Sequence, residues 1–137
     1  MQEIVRELSQ SELFRGVPET VLQRVAEAGQ PLELRAGEVL LSPERPNHHV
    51  YLLLSGALAV HFGAPDSPEI RELSVGFSVG EISVINGNPP SAYVVAKRDS
   101  RVFPIPFELV NELTGGPGTI AHNMLRILTG WIRTNTE

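Results

Sequence analysis

The 137-residue chain contains no cysteine. That excludes disulfides, thiolate metal sites and a cysteine nucleophile together. Cations are scarce as well: 11 Lys and Arg stand against 16 Asp and Glu, a formal net charge of −5. Non-specific nucleic-acid binding depends on clustered cations that neutralise phosphates, so this balance argues against it. No apolar run approaches the ~20 residues that a membrane-spanning helix needs. Met1-Gln2-Glu3-Ile4 opens on an acid, without the basic stretch that begins a secretory signal. The expectation from these absences is a cytoplasmic protein with no membrane and no nucleic acid as partner. What is present is ordinary for a globular domain: 42% hydrophobic and 20% charged residues, in a length that fits one domain with a sizeable core.

Hydrophobic periodicity divides the chain into three parts. Ile4, Val5 and Leu8, then Leu13-Phe14, give a short amphipathic helix and an apolar turn. Pro18 suits a first helical position, Val21, Leu22, Val25 and Ala26 repeat at helical spacing, and Gly29 suits the stop. From Pro31 the period changes to that of strands. Leu32 and Leu34 alternate with Glu33 and Arg35; Val39 to Leu41, Val50 to Leu54, Ala57 to Phe62, Ile70 to Val75, Tyr93 to Ala96 and Val102 to Ile105 follow. Short strands with turn signals every ~8–12 residues predict a mainly β fold, an all-β barrel or a double-sheet jelly roll. Helix returns at Phe107 to Leu113. After Gly115-Gly116-Pro117-Gly118 a longer helix is predicted over 119–136, with an apolar stripe of Ile120, Met124, Ile127, Leu128, Trp131 and Ile132.

Catalytic and metal chemistry find little support. Adjacent histidines on a strand point to opposite faces, and residues 50–54 contain no acid, so His48-His49 predicts no metal site. His61 and His122 are isolated. Ser55 lies in Ser-Gly-Ala, without the Gly-x-Ser-x-Gly context of a nucleophile elbow. No enzyme activity is expected of this chain.

One stretch asks for a ligand. Residues 80–96, GEISVINGNPPSAYVVA, place a glycine and a carboxylate before a short apolar turn, then a Gly, two prolines and Ser-Ala before a strand. Gly76-Phe77-Ser78-Val79-Gly80-Glu81 resembles the Gly-x-x-x-Gly-Glu that opens the phosphate-binding cassette of the cyclic-nucleotide-binding domain family. Ser91-Ala92 and the strand after it resemble the end of that cassette. Leu34 to Leu40 and Val50 to Leu58, with its Ser-Gly turn, are similar to the family's earlier strands in the same order.

The resemblance implies a double-stranded β-helix over 31–106, helices over 1–30 and 107–137, and a cassette over 76–92. It implies that a short helix beginning near Gly80, Glu81, Ile82 and Ser83 offers N–H groups to a cyclic phosphate. Glu81 then accepts from a ribose hydroxyl, or, in an unliganded pocket, bonds the cassette's own backbone. Ser91 and Ala92 offer a hydroxyl and an N–H, and Trp131 stands near where the family's base-covering residue falls. The family's cassette arginine, however, is Pro90 here, and there is no Lys or Arg between Gly80 and Ala96. Proline supplies neither charge nor N–H. Cyclic AMP and cyclic GMP are therefore expected to bind weakly or not at all.

The functional expectation is a regulatory sensor domain whose last helix controls an output domain. Residues 130–137 look like the junction that precedes a diguanylate cyclase in bacterial proteins, and no helix-turn-helix follows. The alternative is a ligand-independent dimerisation module. In either case a homodimer is expected through Met124, Ile127, Leu128 and Trp131, whose 4- and 3-residue steps match a coiled-coil seam.

Overall fold

The computed structural model of the protein describes residues 2–81, 87–114, 123, 124 and 127. Two helices come first, α1 (Gln2–Ser9) and α2 (Glu19–Glu27). The strands are β1 (Leu32–Leu34), β2 (Val39–Leu41), β3 (His49–Ser55), β4 (Leu58–His61), β5 (Glu69–Leu73), β6 (Ser78–Val79), β7 (Tyr93–Ala96) and β8 (Ser100–Pro106). Helix α3 (Phe107–Thr114) continues directly from β8. The strands form two four-stranded sheets, in the orders β1-β8-β3-β6 and β2-β7-β4-β5, with every pair antiparallel. Of the two architectures that the strand spacing allows, this is the double-sheet jelly roll.

Side-chain alternation explains why the apolar run at Val50 to Leu54 has no polar interruption. Val50, Leu52 and Leu54 point toward the helices and join Leu8, Phe14, Val25, Phe103 and Ile105 in one core. Leu53 points between the sheets and joins Leu58, Val60, Leu73, Val94 and Val102 in a second. A strand buried on both faces must be apolar at every position. β8 is divided the same way: Val102 faces the roll, Phe103 and Ile105 the helices.

The N-terminal helices close on local devices. The Ser11 hydroxyl donates to Leu8 O (2.7 Å) and accepts from Phe14 N–H (3.2 Å), which turns the chain and buries Leu13 and Phe14. Pro18 caps α2 with extended backbone and accepts from the Val21 and Leu22 N–H groups, one position before its predicted place in the first turn. At the Ser55-Gly56 turn φ is +94°, and an added Cβ would stand 2.2 Å from Ser100 Oγ and 2.6 Å from Asp99 O. Only glycine lets β3 turn this tightly against β8.

Two differences from expectation have simple causes. β6 is only two residues long, too short to leave a periodic signal. Leu32 is 44% exposed although Leu34 is buried, because it opens β1, an edge strand of its sheet. The helix expected over 119–136 falls mostly outside the described residues; Asn123, Met124 and Ile127 are helical. Met124, expected on a dimer seam, lies 5% exposed in the chain's own helix-side core, with Ile127 partly buried against it. Asn123, which the sequence did not single out, is buried and donates to Leu13 O (2.9 Å) and Arg15 O (3.0 Å). Together these residues fasten the C-terminal segment to the turn after α1. Leu128 and Trp131 lie outside the described residues.

Candidate ligand-binding cassette

Strand pairing decides where the cassette lies. It leaves the roll at β6, which pairs with the start of β3 (Tyr51↔Val79). It returns at β7, which pairs with the end of β2 (Leu41↔Val94). The β2–β3 loop therefore runs past both ends of the cassette at one mouth of the roll. A Tyr93 O–H donated to Glu44 Oε1 (2.9 Å) ties that loop to the returning strand.

At its entry the cassette meets this loop closely. Gly76 N–H donates to Leu53 O and Leu53 N–H to Phe77 O, so the turn before β6 is pinned to β3. Gly80 has φ +99°, and a Cβ there would stand 2.5 Å from His49 O and 2.8 Å from Asn47 Nδ2. Both the dihedral and the approach require glycine. Asn47 holds the partner surface in shape: its Nδ2 donates to His49 O (2.8 Å), and its Oδ1 accepts from His49 N–H (3.2 Å).

Glu81 follows as a helical residue only 2% exposed. Burial raises its carboxyl to about 7, offset in part by the nearby Ser78 hydroxyl and by the residue's own N–H. Ser78 lies close enough to favour the carboxylate but does not reach hydrogen-bond geometry: neither Glu81 Oε1 nor Ser78 Oγ, both buried, has a partner among the described residues. Buried polar atoms are rarely left so, because each unmade bond costs about 1–3 kcal/mol. The pair sets a carboxyl and a hydroxyl near each other in a buried place.

The exit of the cassette is less enclosed. Pro90 is half-buried, Ser91 exposed, and Ala92 packs against the core between the sheets. Ile82 and Ser83, expected to present the helix N–H groups, and Trp131, the expected cover, lie outside the described residues. Lys97, the next cation along the chain, is held by Glu69 (3.0 Å) and Glu72 of β5. Pro90 lines a hollow with Arg45, Asn47, His48, His49 and Tyr51 of the loop and β3. The two histidines share this hollow because β3 begins at His49, so strand alternation does not reach His48. Among the described residues no three His, Asp or Glu side chains gather as a metal site, and no helix is long and apolar enough to cross a membrane.

Comparison with known proteins matches this architecture to one family. Residues 31–115 match the model of the cyclic nucleotide-binding domain. A CRP-like cAMP-activated global transcriptional regulator of Mycobacterium tuberculosis is 21% identical over 128 residues, 92% of this chain and 57% of the regulator. The acetyltransferase Pat of Mycolicibacterium smegmatis is 31% identical over 91 residues, 66% of this chain and 27% of the acetyltransferase. This chain thus spans little more than half of the first relative and about a quarter of the second. In structure, the sensor domain of the transcriptional regulator DNR from Pseudomonas aeruginosa superposes with a TM-score of 0.79 at 17% identity, covering 98% of this chain and 92% of that one. With its jelly roll, its Gly80-Glu81 cassette entry and the match over residues 31–115, the chain belongs to the cyclic-nucleotide-binding domain family.

Proposed function

We propose that this chain is a single regulatory sensor domain whose cassette takes a hydroxyl-bearing ligand at Glu81. Occupancy is passed through the C-terminal helix to an output domain; the resemblance of residues 130–137 to the junction before a diguanylate cyclase supports that kind of output. The role within the chain is recognition, without catalysis. The observation that carries the reading is the buried Glu81 carboxyl, whose Oε1 lacks a partner among the described residues. A structural carboxyl of this kind would be expected to close its bonds within the protein.

Affinity for cyclic AMP and cyclic GMP is weak or absent in this reading, because Pro90 stands where a cyclic phosphate needs a cation. Losing a charge-assisted hydrogen bond removes about 1.5–3 kcal/mol, or at least tenfold in affinity. Pro90 also favours a second reading, a dimerisation module that needs no ligand. Burial of Met124 withdraws one residue from the dimer seam expected in both readings, and so does not separate them.

Calorimetric titration of the chain with cyclic AMP, cyclic GMP and cyclic dinucleotides tests the proposal. Measurable binding of any of these, lost in Glu81→Gln, is the expected result. Full insensitivity to Glu81→Gln would remove Glu81 from the site.

A further inference from the structure

The loop between β2 and β3 brings to the roll's mouth a cation that the cassette itself lacks. We propose that the hollow between this loop and Pro90 binds a small oxyanion, a phosphate or carboxylate group, with Arg45 as its charge partner. The hollow adjoins the cassette entry, where Gly80 packs on Asn47 and His49, and the inference stands whether or not the cassette takes a nucleotide.

The composition of the hollow is the first argument. In a chain of net charge −5, its lining includes Arg45, His48 and His49 and not one carboxylate. The acid nearest in sequence, Glu44, is turned instead to the Tyr93 hydroxyl. Arg45 makes no ion pair among the described residues; its contact is a long hydrogen bond to Val39 O (3.4 Å). A guanidinium held by one weak bond keeps most of its donors for an incoming anion, and its planar fork matches phosphate and carboxylate oxygens.

The second argument is that the charge acts inside the hollow. Tyr51 lines the same space, and Arg45 lowers its phenol pKa against the larger, opposite effect of burial. The floor is ordered by protein contacts: Asn47 is clamped to the His49 backbone, and the His49 and Tyr51 rings stand 5.6 Å apart. The hollow measures about 240 Å³. That is below the ~300–1,000 Å³ of pockets for drug-sized ligands, and suits an oxyanion or the anionic end of a larger molecule.

The third argument is topological. Pairing of β2 with β7 brings residue 45 beside residue 90, so a cation on this loop lines the same hollow as Pro90.

An NMR titration of the full chain with inorganic phosphate, and separately with acetate, tests the site at constant ionic strength. The resonances to follow are the Arg45 guanidinium and the His48 and His49 rings. Saturable shifts of these groups are expected with either anion. Arg45→Gln is expected to weaken binding by roughly tenfold or more, the loss that a charge-assisted contact implies. Arg98→Gln, which removes an exposed cation outside the hollow, is expected to leave the affinity of the parent. Unchanged affinity in Arg45→Gln overturns the proposal, as does an equal loss in both variants, which would mean a general charge effect. Shifts that never saturate in the parent overturn it too. Because Arg45 is exposed on a loop, amide dispersion like the parent's is expected in Arg45→Gln; anion binding without any cyclic-nucleotide binding would sink the Glu81 reading alone.

Discussion

Glu81 concentrates the tension of this site in one carboxyl. Its pKa in the folded chain is about 7, against 4.5 for the free group. The folded state therefore keeps a proton that the unfolded state has released between these two values. The contribution of this group to stability is fully present below pH ~4.5, falls as pH rises through the window, and is lost above about 7. A tenfold change in proton affinity is worth about 1.4 kcal/mol, so the whole effect is about 3 kcal/mol. Glu81→Gln keeps the shape and cannot ionise. Urea unfolding is expected to show the variant more stable than the parent by about 2–3 kcal/mol at pH 8, with the gap closing toward pH 5. A constant gap across that range would mean that the carboxyl is not desolvated. Other carboxylates follow a different logic: Glu72 is held below its usual range by its hydrogen bond to Lys97, but it is exposed and bears little on folding.

Among the elements, the strands were the most legible part of the sequence, and β3 shows why. Five consecutive apolar residues bounded by a loop and a Ser-Gly turn leave no reading but a buried strand, and both faces of β3 are covered. The cassette entry was legible for a related reason, since the positive φ of Gly80 leaves a glycine that the chain cannot replace. Three features were not legible. β6 has two residues and no periodicity. The hollow at Arg45 depends on the β2–β7 pairing, which joins residues far apart in sequence. Asn123 looks like any polar residue on a helix until its two bonds to Leu13 O and Arg15 O are seen. Asn123→Ala leaves those carbonyls without their donor in a buried place, and is expected to cost about 1–3 kcal/mol in denaturant unfolding. Faster amide exchange at Leu13 to Arg15 is expected with it. A neutral substitution would mean that the C-terminal segment is held elsewhere.

At the scale of the whole molecule, two core layers share the β3–β8 sheet, so the roll and the helices are mechanically joined. Met124 in the helix-side layer gives the C-terminal segment a place in that same core. In the proposed reading, motion of the cassette against β3 would pass through this shared core toward Met124. The proposed homodimer relies on Leu128 and Trp131 beyond that anchor. Light scattering is expected to find a dimer for the parent and a monomer for Leu128→Glu; a parent monomeric at high micromolar concentration would contradict the assembly. The central claim is narrower, that the cassette is built for a ligand but lacks its cation at residue 90. Pro90→Arg tests it most directly, in side-by-side calorimetric titrations of variant and parent with cyclic AMP. The expected result is weak or undetectable binding by the parent and a gain of roughly tenfold or more in the variant. Submicromolar binding by the parent, or no gain on restoring the arginine, would contradict it.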